Sequence, residues 1–320
     1  MNAIILAGGK GSRLAPLTNH VPKPMLYVAS RPMLDYVTSQ LYFYGIKSIV
    51  YAVGYKKEQI EARVREYEGI DYKISNEVFP LGTAGSVKNA HKFLDDTFIV
   101  MSGDCINDIN LEKMIKSHQS SGKLVTIATV KREDVSKYGV VNVDENGLVS
   151  GFVEKPKHRV ESKLINAGVY LINKELLELI PAGFSDFAQN VFPILVKNNQ
   201  INTYFHEGFW SDIGALEDYY LASFALLNGG FYPFIKTNSE MDKVVFCGDY
   251  AQDNSVYSKI ENTIVGNGVK MERGSRFENC IIMPCSFVGG NHKNQILGNG
   301  FCIDVSPSKE SLTNYTFLLQ

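Results

Sequence analysis

Two cations, Arg13 and Lys23, follow a loop with glycines at positions 8, 9 and 11. The loop comes straight after a short apolar run, Ala3 to Leu6, which reads as a buried strand. Glycines lack a Cβ and tolerate φ > 0, so backbone N–H groups there can close around a phosphate chain. Arg13 can fork onto phosphate oxygens, while Lys23 is a point charge held between Pro22 and Pro24. A strand followed by glycines also makes an ordinary tight turn, and the spacing is neither the dinucleotide fingerprint nor the Walker pattern. The cations argue for phosphate. Two carboxylates add to this chemistry: Asp104 in Ser102-Gly103-Asp104, after the apolar run Thr97 to Met101, and Asp212 after Trp210. A Mg²⁺ ion bridging phosphates takes one or two such carboxylates and completes its shell with phosphate oxygens. Taken singly, each aspartate is equally suited to capping a helix.

Further along, Gly8-Gly9-x-Gly11-x-Arg13-Leu14-x-Pro16-Leu17-Thr18 with Pro22-Lys23-Pro24-Met25 resembles the signature of the sugar-1-phosphate nucleotidyltransferases, the NDP-sugar pyrophosphorylases. The likeness runs in order through about residues 1–228. Within the family it is similar to mannose-1-phosphate guanylyltransferases and their bacterial relatives, through Gly82-Thr83-Ala84-Gly85, Ile165-Asn166-Ala167-Gly168, Val191-Phe192-Pro193 and Gly208 to Gly214. The resemblance implies a sugar 1-phosphate and an NTP as substrates and an NDP-sugar and pyrophosphate as products. It places Leu6, Ala7, Gly8, Gly9, Gly11, Glu77, Gly82, Thr83 and Ala84 on the nucleotide, with Arg13 and Lys23 as the catalytic cations. The same likeness puts Gly139, Glu154, Lys155, Asn166 and Gly168 on the sugar phosphate, and Asp104 and Asp212 on Mg²⁺. Lys155-Pro156 also suits a plain loop after a hairpin.

The resemblance implies that Glu77 selects among the bases. Relatives that use uracil or thymine carry a Gln five residues before the segment's glycine, where this chain has Glu77 before Gly82. Guanine presents two adjacent donors that one carboxylate can accept, so GTP is favoured. Glucose or heptose 1-phosphate with UTP or GTP are the alternative substrates. A non-catalytic sugar-nucleotide-binding subunit is the rival of another class, and such a chain would be expected to lose Arg13, Lys23 or an aspartate that this one keeps.

These groups need elements to hold them. Apolar strands alternate with helices from Ala3 to Val130, which predicts a Rossmann-like α/β domain with a mixed, mainly parallel sheet. Ligands on such sheets gather at the carboxyl ends of strands, where the glycine loop and Asp104 fall. Asp144-Glu145-Asn146-Gly147 predicts a hairpin turn. Phe187 to Lys197 reads as a helix, as does Leu216 to Leu227. Residues 1–228 form the expected catalytic domain and 229–243 a linker. Beyond it, Val265, Met271, Phe277 and Met283 recur every sixth residue, beside Val269, Ile281 and Phe287. That period predicts a short left-handed β-helix-like tail over 244–320, the alternative being an irregular β segment. Its open coil ends predict a homo-oligomer.

A net charge of −2 over 320 residues gives no electrostatic footing for nucleic acid, and no apolar run reaches membrane-spanning length. The chain enters its first strand without a charged, then apolar leader, and its five scattered cysteines suit a reducing cytoplasm.

Overall fold

A computed structural model describes residues 1–29, 31–145, 147–229, 245–247, 251–252 and 258–307. Nearly all of the expected linker, residues 308–320 of the tail and Asn146 of the expected turn lie outside the described residues.

Strand β1 (Asn2–Ala7) is almost wholly buried, because its run of apolar residues packs on both faces. Helix α1 (Met33–Phe43) starts after Pro32 and is closed by Gly45 in the left-handed region. Then come β2 (Ser48–Val53), α2 (Lys57–Val64), β3 (Asp71–Asn76), α3 (Gly82–Asn89) and β4 (Thr97–Ser102). These strands pair in parallel in the order β4-β1-β2-β3. Helices α1 and α2 are locked by a buried ion pair. Arg63 forks onto Asp35, with Nε 3.0 Å from Oδ1, and the Tyr67 hydroxyl donates to the same oxygen at 2.7 Å.

After α4 (Leu111–Ser121) and β5 (Val125–Lys131), the chain folds back as an antiparallel hairpin, β6 (Gly139–Val143) and β7 (Val149–Glu154). The long β8 (Leu164–Asn173) runs antiparallel to β4, β5 and β6, with a register shift between Asn166 and Tyr170. β9 (Ile201–His206) lies parallel to β5. The sheet is therefore mixed around a parallel core, as expected for this fold class. The helix predicted over Phe187 to Lys197 is divided: a π-turn, Phe187–Val191, precedes α5 (Phe192–Lys197). Pro193 has no N–H for an upstream carbonyl, so the α ladder begins afresh there.

Helix α6 (Leu216–Gly229) leads to the C-terminal strands, which form small sheets that are parallel from turn to turn of a coil and antiparallel where 245–247, 251–252 and 301–304 join them. Ile264 pairs with Ile281 and Ile281 with Ile296, so successive turns take 17 and then 15 residues. A strict six-residue row cannot survive unequal turns. Phe277 and Ile281 stay buried, whereas Phe287, expected in the second row, is 66% exposed. The coil's apolar side meets α6: Ile264, Ile281 and Ile296 share a core with Tyr219, Tyr220 and Phe224, and the Tyr220 hydroxyl donates to the Asn279 carbonyl at 2.7 Å. Among the described residues no helix is long and apolar enough to cross a membrane, and Cys105, Cys280, Cys285 and Cys302 are free thiols.

Candidate active site

The carboxyl ends of β1 and β4 lie side by side, where the Gly103 amide donates to the Leu6 carbonyl at 2.9 Å. Both strands open into a cleft of about 820 Å³ that Leu6, the glycine loop, Arg13, Lys23, Glu77 and Asp104 help to line. Gly11 has φ +69°, and a Cβ there would lie 2.7 Å from the Cβ of Lys23. Glycine is thus required for Lys23 to pass beneath the loop. The segment carrying Lys23 is tied down by α2 and its approach: Lys56 Nζ donates to the Asn19 carbonyl and Gln59 to that of His20, both at 2.9 Å.

Lys23 is 7% exposed, and its ammonium points inward. Nζ lies 2.7 Å from Asp104 Oδ2 and 3.0 Å from the Asp212 carbonyl oxygen. The other oxygen of Asp104 accepts from the Ser102 hydroxyl. Asp212 reaches this point because Trp210–Ser211 pairs antiparallel with Ile106–Asn107, just after Asp104. A Cβ on Gly214 would stand 3.0 Å from Asp212 Oδ2 and 3.5 Å from Arg13 Nη1, so Arg13 and the Asp212 carboxylate converge over that glycine.

The two aspartates titrate in opposite directions. Burial would raise Asp104, but the charge and hydrogen bond of Lys23, with the Ser102 hydroxyl, overcome it and hold the carboxyl below its usual range. Asp212 is pushed up to about 6 by burial, then by Asp218, with Asp104 adding to the rise against Lys23 and Arg13. Two carboxylates close enough for Asp104 to raise Asp212 would suit a hard cation, one that completes its shell with a substrate's phosphate oxygens. Among the described residues no group of three or more His, Cys, Asp or Glu side chains is placed to hold a metal ion by itself.

Glu77 continues the pairing of β3, its amide donating to the Val53 carbonyl at 2.8 Å. Its carboxylate lies against the glycine loop: a Cβ on Gly8 would be 3.4 Å from both oxygens. Burial raises its pKa, opposed by the Ser86 hydroxyl and the Leu81 amide. Gly82 has φ +72°, and a Cβ there would meet the Ser185 carbonyl oxygen at 2.5 Å. That carbonyl accepts the amides of Ala84 and Gly85 at 3.0 and 2.9 Å, and Thr83 donates to Asp186 at 2.8 Å. The start of α3 therefore spends these groups on its own neighbour, and buried Ala84 turns no amide to the cleft.

The expected sugar-side residues gather beside the phosphate side. Gly139 and Glu154 face each other across the hairpin, and a Cβ on Gly139 would come within 2.8 Å of Glu154 Oε2. The Asn166 side chain accepts from the Gly168 amide at 3.0 Å and donates to the Tyr170 hydroxyl at 2.8 Å. A Cβ on Gly168 would sit 3.4 Å from that of Ser102, which joins the two halves of the site. Lys155, at φ +44°, is exposed, with Nζ 3.4 Å from Glu154 Oε1. Three functional partners escaped the sequence reading: Ser102, Tyr170 and Asp218. The Ser-Gly-Asp tip held a signal for Ser102. The spacing of Tyr170 from Asn166 held one too, since residues i and i+4 of a strand share a face. Asp218 accepts the Ala215 amide at 3.0 Å and also raises Asp212.

The profile of the Nucleotidyl transferase family matches residues 2–229. The chain is 40% identical over 227 residues to the mannose-1-phosphate guanyltransferase of Gibberella zeae, covering 68% of this chain and 62% of that one. It is 36% identical over 236 residues to the protein of that name in Saccharomyces cerevisiae, covering 71% and 65%. The matched stretch thus spans a little under two thirds of those relatives. The crystal structure of HddC from Yersinia pseudotuberculosis complexed with GMP-PN superposes with a TM-score of 0.59 at 30% identity, covering 69% of this chain and 97% of that one. With the glycine loop, Arg13, Lys23 and Asp104 lining one cleft, and this match along most of its length, the chain belongs to the nucleotidyl transferase family.

Proposed function

We propose that the chain joins GTP and mannose 1-phosphate to give GDP-mannose and pyrophosphate. The observation that carries this reading is the convergence of Lys23, Asp104 and Asp212 at the strand ends below the glycine loop. Relatives named for this reaction support the sugar and the base, and a neighbour's complex with GMP-PN supports a guanine nucleotide.

An oxygen of the sugar phosphate bonds to the α-phosphorus as the bond to the β-phosphate oxygen breaks, and pyrophosphate departs with the electron pair. The nucleophile is already an anion, so no side chain need remove a proton. The protein's part is positioning and charge. The glycine loop cradles the triphosphate, and Arg13 and Lys23 neutralise it and the leaving pyrophosphate. Glu77 takes the guanine edge. Glu154 accepts from sugar hydroxyls, Asn166 and the Gly139 and Gly168 backbone complete the sugar side, and Lys155 turns from Glu154 to the sugar phosphate. Nucleotidyl transferases use a divalent metal. We assign Mg²⁺ to Asp104 and Asp212, where it supplies charge neutralisation at the phosphate oxygens.

Pyrophosphate release from a panel of NTPs and sugar 1-phosphates tests the reading. The highest kcat/KM is expected for GTP with mannose 1-phosphate. A preference for glucose or heptose 1-phosphate, or for UTP, overturns the assigned substrates. Release from no pair favours a non-catalytic binding subunit.

We place the chain in the cytoplasm, which its free thiols suit. We also place a homo-oligomer contact on the C-terminal coil, which exposes Phe287. Light scattering should give a multiple of the chain mass for the wild type and a smaller assembly for Phe287→Glu. An unchanged mass would move the contact elsewhere.

A further inference from the structure

We propose that Lys23 is an internal counter-cation: in the nucleotide-free protein its ammonium holds the Asp104 carboxylate oxygen that the metal would take and yields it only to a nucleotide. The inference rests on the reading that Asp104 and Asp212 hold a divalent cation. It adds a coupling that this reading does not contain.

The geometry is specific. The ammonium has one carboxylate oxygen at 2.7 Å and one carbonyl oxygen at 3.0 Å, the oxygen-lined surroundings that a hard cation seeks. Lys23 is nearly buried, its stem runs under Gly11, and Pro22 and Pro24 fix the backbone on either side. The side chain therefore has few other places to go. An ammonium and a divalent ion cannot share the Asp104 carboxylate, because like charges a few ångströms apart in a partly desolvated site repel strongly. A bare metal ion would have to push Lys23 off Asp104 and leave an ammonium without a counter-charge, which is costly in a buried position. A triphosphate changes the balance. Its oxygens enter the cleft that Lys23 lines and accept the displaced ammonium, which frees the Asp104 carboxylate for the metal carried with the phosphates. Metal and nucleotide then bind with positive coupling, which by linkage must be reciprocal.

Mn²⁺ binding to the full chain, followed by the electron paramagnetic resonance signal of the free ion, tests this without turnover. Wild type should bind Mn²⁺ weakly alone and at least about tenfold more tightly with GTP present, after subtracting the Mn²⁺ that the same GTP holds without protein, within the usual span of such couplings. Lys23→Gln should bind Mn²⁺ about tenfold more tightly than wild type without nucleotide, and Lys23→Arg should stay as weak as wild type. Adding Asp104→Asn to Lys23→Gln should abolish the gain, which locates it at this carboxylate. If Lys23→Gln does not fold, the Lys23→Arg result and the wild-type response to GTP still decide the matter. Equal Mn²⁺ affinity in wild type and Lys23→Gln, or wild-type affinity that GTP does not change, overturns the proposal. A chain that couples Mn²⁺ to GTP in this way but releases no pyrophosphate would keep the interlock and refute the proposed reaction.

Discussion

Asp104→Asn and Asp212→Asn should each lower kcat by at least about a hundredfold, the scale of losing a central electrostatic stabiliser. The two residues come to the site from strands far apart in sequence, and the structure gives each a different charge environment. A dead variant could simply be misfolded, so stability supplies the control, and it should move in opposite directions. Asp212 has its pKa raised from 3.8 to about 6. Below 3.8 the folded and unfolded chains are both protonated and nothing is lost. Between 3.8 and 6 only the unfolded chain ionises, so stability falls as pH rises, and above 6 the loss is complete. Asp212→Asn removes that loss. In metal- and nucleotide-free buffer it should gain on the order of 2 kcal/mol over wild type at pH 8, with the partial solvent contact of the carboxyl allowed for, and the gain should vanish toward pH 4. Asp104 is depressed, so its stabilisation is present above the ordinary carboxylate pKa and is lost in acid. Asp104→Asn strands the Lys23 ammonium and should unfold at lower temperature than wild type at neutral pH. Thermal melts across pH with steady-state kinetics read both arms. Full turnover with Mg²⁺ in either variant would remove that residue from the metal.

Glu77→Gln should lower kcat/KM for GTP by about 10- to 100-fold, the cost of leaving a buried donor unmatched, and improve UTP or dTTP relative to it. The carboxylate lies against Gly8 at the inner wall of the cleft, not out in solvent, and burial acts on its titration. Guanine offers N1–H and the 2-amino group side by side, and one carboxylate accepts both in charge-assisted bonds. A glutamine keeps one acceptor and turns a donor toward the second position. A pyrimidine instead presents one donor beside carbonyl acceptors, which that amide matches and a carboxylate repels. Kinetics with GTP, UTP and dTTP on both proteins make the comparison. A variant that keeps the wild-type GTP preference would show that Glu77 does not read the base.

The amino-acid sequence by itself determined the local frame of this protein. β1 and β4 extend their predicted apolar runs by at most one residue at an end, and α6 begins at the predicted Leu216. Strand and helix periods, the fixed φ of proline and the left-handed freedom of glycine are set by sterics within a few residues, so they can be read along the chain. The types of the chemistry-bearing residues were legible for the same reason, as was their order. What only the tertiary structure decided is how those residues are spent. That Lys23 turns to Asp104 depends on strand pairing that brings residues near 23, 104 and 212 to one point. The Ser185 carbonyl, about a hundred positions away, takes the Ala84 and Gly85 amides in the segment that the resemblance places on the nucleotide. The coil's unequal turns release Phe287 from a row that its spacing placed inside. A side chain's partner is settled by which charges and carbonyls long-range packing leaves within about 3 Å of it, and no local period carries that information.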